Sequence, residues 1–161
     1  STGLCLDRLE QVMRISPSQL ALQRVDRATA DVLTGAAVAI YTVGVGRVLL
    51  YGLIGEVTTV LGAGANNGSF QFNPTTGTTV AMCAALDILT DEAGTYYTFS
   101  GLRTAAMIES SSGAAPMGLM GTPVVLGIGQ IEFLTTANVT GSISFQAWWM
   151  PLDDGATFVA A

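Results

Sequence analysis

The sequence predicts an all-β protein: an antiparallel β-sandwich, jelly-roll-like, led by an N-terminal arm that contains a short helix. Three observations carry that expectation. Runs of Val, Ile, Thr, Tyr, Phe and Trp recur after residue 28 with turn signals between them, at roughly ten residues per strand and turn. The segment 141–150 alternates strictly, with Ile143, Phe145, Ala147 and Trp149 on one face and Ser142, Ser144, Gln146 and Trp148 on the other. After residue 28 there is no long run of apolar residues at the helical period. The expected division is an arm at 1–28 and a β-sandwich domain at 29–161.

The arm comes first. Leu4, Leu6, Leu9, Val12, Met13 and Ile15 mix with charged and amide residues as far as Ser16-Pro17. Spacings of three and four set Leu9, Val12 and Met13 on one side of a helix at 6–14. So short a helix is marginal in water by itself. It becomes ordered by docking, either on its own domain or on a neighbouring subunit, and the sequence leaves both open. The strands follow at 36–43, 47–58, 68–72, 78–89, 95–100, 107–109, 124–126, 130–135 and 141–150. Between them lie 44–46, 62–68, 73–77, 91–94 and 110–115, rich in residues that make turns: Gly and Asn accept positive φ and Pro fixes its own. On the last strand Trp148 points away from the core side. A large aromatic there marks a contact, since Trp carries much interface energy, or else it lies under its own loop or the C-terminal tail.

Charge is scarce. Half of the 161 residues are apolar and 11% are charged, with a mean hydropathy of +0.51; a soluble domain carries about 25% charged residues. Little charge is left to hold copies apart, so part of the surface is expected to lie against other protein. A membrane-spanning helix is not expected, because runs such as 117–129 are broken by Gly and Pro and fall short of roughly 18–20 apolar residues. A transmembrane barrel escapes that length test. The chain has no Lys and no His, and four of its six Arg (Arg8, Arg14, Arg24, Arg27) fall in the first 27 residues beside Asp7, Glu10 and Asp26. That segment sums to +1. From residue 28 onward, Arg47 and Arg103 face nine acids, giving −7 and the total of −6. An acidic body lacks the cationic face that nucleic acid requires.

Cys5 and Cys83 stand far apart and read as free, mostly buried thiols. The opening STGLCLDRLEQVMR lacks the pattern of a secretory leader, and its first Ser fits removal of an initiator Met. The sequons at Asn67 and Asn138 are therefore read as turns. Without His, imidazole bases and catalytic triads have no place in this chain. Without Lys, neither do Schiff bases or a phosphate-loop lysine, and two distant Cys do not make a zinc site. Only carboxylates remain: Asp87, Asp91 and Glu92, and Asp153-Asp154. Neither group matches a calcium loop, and both sit in ordinary turn contexts. The expectation is a protein that is not an enzyme and holds no metal or cofactor.

A resemblance adds to this reading. Ile40-Tyr41-Thr42-Val43 with Gly46-Arg47-Val48-Leu49-Leu50, then Gly52-Leu53-Ile54-Gly55-Glu56-Val57-Thr58-Thr59, resemble stretches of small phage virion proteins of the capsid decoration or cement type. So do Asn73-Pro74-Thr75-Thr76-Gly77, Leu86-Asp87-Ile88, Thr140-Gly141-Ser142 and Pro151-Leu152-Asp153-Asp154-Gly155-Ala156. The likeness spans about residues 36–158 and is a pattern rather than a catalytic signature. It stops short of the arm, which replaces a shorter start. The resemblance implies a structural subunit, commonly a homotrimer, on the outer capsid surface of a bacteriophage virion, with the major capsid protein and copies of itself as partners. It brings no catalytic residues.

Within that reading the arm ties the protein to a capsomer or a neighbour. The candidate interface residues are Leu4, Leu6, Arg8, Leu9, Val12, Met13, Arg14 and Trp148. Three other readings stand beside it. One is a tail, neck or baseplate component. Another is a carbohydrate-binding adhesive module that stacks sugars on Trp148, Trp149, Tyr96 and Tyr97. The third is an enzyme working through Asp87 or Asp153.

Overall fold

The alternating run near the C-terminus becomes a central strand. The computed structural model describes residues 22–111 and 122–161. In chain order its strands are β1 (Gln23–Ala30), β2 (Ala37–Val45), β3 (Val48–Thr59), β4 (Asn67–Pro74), β5 (Val80–Ala81), β6 (Leu86–Asp87), β7 (Tyr96–Thr98), β8 (Ile108–Ser110), β9 (Val124–Leu126), β10 (Gly129–Thr135), β11 (Ser142–Pro151) and β12 (Thr157–Ala160). They pair antiparallel into two sheets. Sheet I runs β1-β11-β3-β7-β8, and β9 pairs with the first residues of β3. Sheet II runs β12-β2-β10-β4-β5, and β6 pairs with the start of β4. The fold is sandwich-like, and the described residues contain no α-helix.

The hydrophobic effect and the two-residue strand period explain the layering. Along β11 burial alternates, with Ile143, Phe145, Ala147 and Trp149 inside and the intervening residues half-exposed. Sheet II supplies Tyr41, Val43, Phe70, Ile131 and Phe133 to the same interior, all at 0% exposure. Phe70 is the hub, with ring centroids 5.3 Å from Phe99, 5.3 Å from Phe133 and 6.2 Å from Phe145. Two of these contacts are edge-on, the arrangement that ring quadrupoles prefer. At the seam where β1 and β12 meet, Phe158 lies 5.0 Å from Tyr41 and 5.6 Å from Trp149, so one ring from the last strand bridges both sheets. Tyr41 also reaches across, donating its hydroxyl to the Val25 carbonyl at 3.2 Å.

Three features depart from the sequence expectations. The boundary after residue 28 falls inside β1, so residues from Gln23 onward belong to sheet I. Charged residues at Arg24, Asp26 and Arg27 hid that strand's alternation. The run at 78–89 is not one strand: β5 and β6 both pair with β4, at different registers, and between them Met82 and Cys83 are buried consecutively. Consecutive burial breaks the alternation that a half-buried strand requires. The short β12 was not anticipated, because its four residues follow a turn too closely to show a period. The helix expected at 6–14 lies outside the described residues.

Candidate interaction surface

The outer face of sheet I is shaped by β3 and β11, whose inner residues fill the core and whose alternate residues therefore point outward. On β11 these are Ser144, Gln146, Trp148 and Met150, and on β3 Leu49, Tyr51, Ile54 and Glu56, all half-buried. Pairing places Trp148 between Arg24 and Gly52, and Met150 beside Leu49, which in turn faces Val125 of β9. A bulge intervenes where Trp148 pairs with Gly52 but Trp149 pairs with Leu50, which leaves Tyr51 as the extra residue. Val125, at the far edge, is 54% exposed.

The face is divided along its length. The end near Trp148 is apolar and aromatic. The opposite end is a hydroxyl cluster: Thr58 lies 2.8 Å from Ser142 Oγ, Ser142 Oγ donates to Thr59 at 2.9 Å, and Thr29 pairs with Thr58. On the entry edge, Arg24 makes a two-pronged ion pair with Asp26, at 2.7 and 2.9 Å.

The outer face of sheet II differs in chemistry. Glu132 is only 8% exposed, and its two carboxylate oxygens accept from Gln71 Nε2 at 2.6 Å and Asn73 Nδ2 at 3.0 Å. Thr79 extends the chain by donating to Asn73 Oδ1 at 3.2 Å. A buried carboxylate supplied with donors on both oxygens meets the requirement that buried polar groups be paired.

Of the carboxylates singled out as possible reactive groups, Asp153, Asp91 and Asp87 are engaged in hydrogen bonds. Asp153 accepts from Arg47 Nε at 2.9 Å, Nη2 at 2.6 Å and the backbone N–H at 2.8 Å, fastening the β11–β12 turn to the start of β3. Those donors hold its carboxyl down at about 2. Asp91 accepts the Tyr97 hydroxyl, and burial pushes both groups above their ordinary values. Glu109 is likewise raised, by burial and then by Asp91 and Asp87. Asp87 itself caps the backbone N–H of Leu89 at 3.0 Å. Among the described residues, no group of three His, Cys, Asp or Glu side chains is disposed to hold a metal ion.

Four aromatics were candidates for a sugar-stacking platform, and the structure separates them. Trp149 is 6% exposed and Tyr97 fully buried, both facing the core, while Trp148 and Tyr96 are half-exposed. Of the predicted interface residues, Trp148 lies on the outer face as the alternation required. Leu4, Leu6, Arg8, Leu9, Val12, Met13 and Arg14 fall outside the described residues. The sequence reading did not single out Leu49, Tyr51, Met150 or Val125. Met150 follows the alternation of 141–150, whereas the placing of Leu49, Tyr51 and Val125 beside it needed the register.

Arg27 was also read differently. It was grouped with the basic arm, yet it alternates inward with Val25, and its Nε and Nη1 are buried without a hydrogen-bond partner. Burial pulls its guanidinium below the ordinary value. Between the sheets on the side away from β1, a cleft of about 400 Å³ is lined by Phe72, Met82, Arg103, Val124 and Leu126, and it opens beside Val125. Gly101 at its wall has φ +89°, and a Cβ there would lie 2.1 Å from the Thr122 carbonyl oxygen, so only glycine admits this approach.

Comparison with protein-family models, curated proteins and solved structures finds no match for this chain.

Proposed function

We propose that the protein is a structural virion subunit of a bacteriophage, a capsid decoration or cement protein that sits on the outer capsid surface. In this reading it binds the major capsid protein and copies of itself as a homotrimer, with no catalytic site and no cofactor. The observation that carries the reading is the contrast between the two outer faces. Sheet II centres its face on a self-satisfied polar network around Glu132, with Val159 exposed on its β12 edge, whereas sheet I gathers Leu49, Tyr51, Trp148, Met150 and Val125 on one end of its face. Clustered apolar side chains on a chain with 11% charged residues are best satisfied by another protein surface.

Two further points support it. The strand order nests β1-β11-β3 in one sheet against β2-β10-β4 in the other. We read this as jelly-roll connectivity, an architecture used by viral capsid and lectin domains alike. The second is the resemblance over 36–158, which points to the capsid member of that pair. The sugar-binding alternative is weakened because two of its four aromatics are core residues.

Mass-spectrometric quantification of this chain in intact particles tests the proposal. A copy number on the scale of the capsid lattice is expected. A copy number matching a single ring would move the protein to the neck, tail or baseplate, and its absence from particles would overturn the virion reading.

A further inference from the structure

The cleft between the sheets plays no part in the assembly reading. Its floor is Phe72, Met82 and Leu126, exposed at 9%, 5% and 2%, and its mouth holds Val125 and Arg103. Strand length explains the opening. On this side β9 pairs with only three residues of β3, and β5 with only two of β4, so core side chains are reachable from outside. The volume of about 400 Å³ falls within the roughly 300–1,000 Å³ of small-molecule sites. Apolar walls with a polar group placed at the mouth are how such sites fix a ligand's orientation.

The charge at this mouth is uncompensated. Among the four arginines of the described residues, Arg24 and Arg47 pair with Asp26 and Asp153, and Arg27 turns inward. Arg103 is exposed, and its side chain donates from Nε to the Ala81 carbonyl at 3.2 Å. Ala81 also lines the cleft, so that bond holds the guanidinium at its edge. Both Nη groups are left without an acceptor among the described residues. No described Asp or Glu lines the cleft, although the chain as a whole carries a net charge of −6. Two free donors on a planar fork match the two oxygens of a carboxylate.

An added protein strand is a poorer occupant. Strand addition needs free backbone groups, and beside Arg103 they are taken. The Ala81 carbonyl accepts from Arg103, and the Thr122 N–H donates to the Ser100 carbonyl at 3.4 Å. Gly101 is packed against the Thr122 carbonyl as well. What remains open is the apolar space below, which a compact tail can enter.

We propose that this cleft binds a small amphiphile, a monocarboxylate with an unbranched apolar tail. The tail lies against Phe72, Met82 and Leu126, and the carboxylate meets the Nη groups of Arg103. The proposal is independent of the virion reading: a copy count in particles tests one, and ligand binding by isolated protein tests the other. Burial of the tail supplies most of the affinity, because the exposed guanidinium is screened by water.

Octanoate is the probe, titrated into the full chain carrying ¹³C-methyl methionine, with the Met82 signal assigned through Met82→Leu. The Met82 methyl is expected to shift saturably with a Kd of roughly 0.1–1 mM, the scale for a ligand of about ten non-hydrogen atoms. Met150, on the outer face of sheet I, should stay in place. 1-Octanol should bind at least about fivefold more weakly, and Arg103→Gln should erase that difference. Ala81→Phe, at an exposed position on the rim, should abolish the Met82 shift in octanoate. A Met82 signal that never moves, or one that moves only together with Met150, would overturn the proposal. So would an unchanged preference for octanoate over 1-octanol in Arg103→Gln.

Discussion

Glu132 and Trp148 occupy corresponding places in the two sheets. Each sits on the outer face of an inner strand, flanked on both sides, and each shares that face with residues its neighbours contribute. Glu132 meets Gln71 and Asn73, and the amides satisfy its carboxylate within the chain. Trp148 shares its face with Leu49, Tyr51 and Met150, all partly exposed. The backbone geometry is the same in both sheets. What differs is whether the outward side chains can complete one another, which polar groups do through hydrogen bonds and apolar groups do only by excluding water.

The comparison can be broken at its common support first. Phe133 packs against Phe70 at 5.3 Å and Phe145 at 5.7 Å, joining the sheets from within. Phe133→Ala is expected to cost about 3–5 kcal/mol and to loosen both faces together, as read by denaturant unfolding and by solvent exposure of Trp148. Loss of one face alone would show that the sheets are more independent than the shared core implies.

Glu132→Ala probes the polar face. It removes the acceptor for two amides and should cost about 1–2 kcal/mol in the same unfolding assay, with Glu132→Gln recovering part of the loss. An unaltered midpoint for Glu132→Ala would mean that water completes the network as well as the carboxylate does.

Arg27 separates sequence charge from structural role. Arg27→Met keeps the apolar stem and discards a partly desolvated cation, so the melting temperature should rise by about 1–3 °C. A decrease would show that the guanidinium has a partner in solution.

The smallest effect is in pH. The Asp153 carboxyl, held at about 2 by Arg47, lies below the ordinary carboxylate value of roughly 4, so the folded state prefers it ionised. Its contribution is complete above that ordinary value and is lost as pH falls towards about 2. Asp153→Asn should flatten that part of the acid limb. Asp91 and Glu109 work in the opposite sense: their raised carboxyls favour the protonated form, and stability declines as pH rises from the ordinary value through the raised ones. Asp91→Asn, which keeps an acceptor for Tyr97, should therefore flatten this second, opposite slope.

Much of the fold was readable before the structure. The 141–150 alternation correctly assigned Trp149 inward and Trp148 outward, because the strand period admits only two faces. The errors cluster where period fails as a guide. β1 is a strand whose inward positions include an arginine, so hydrophobicity did not mark it. Residues 80–86 within the run at 78–89 are all apolar, and an unbroken apolar stretch cannot indicate where a chain turns. The candidate surface was only half legible: Trp148 stood out by type, whereas Leu49, Tyr51, Met150 and Val125 look like any other strand residues until pairing brings three strands together.

By itself the sequence determined composition and period: an acidic, sparsely charged chain, mostly of short strands, without the imidazole and amine groups that most enzymatic mechanisms use. Tertiary structure decided register and neighbourhood. It determined that β1 completes sheet I, that Glu132 is paired while Arg27 is not, and that the apolar outward residues gather at one end. The physical reason is that periodicity is a local property of the backbone, set by sterics between adjacent residues. Which side chains meet across a sheet depends instead on contacts between segments far apart in the chain, and only the folded core selects them.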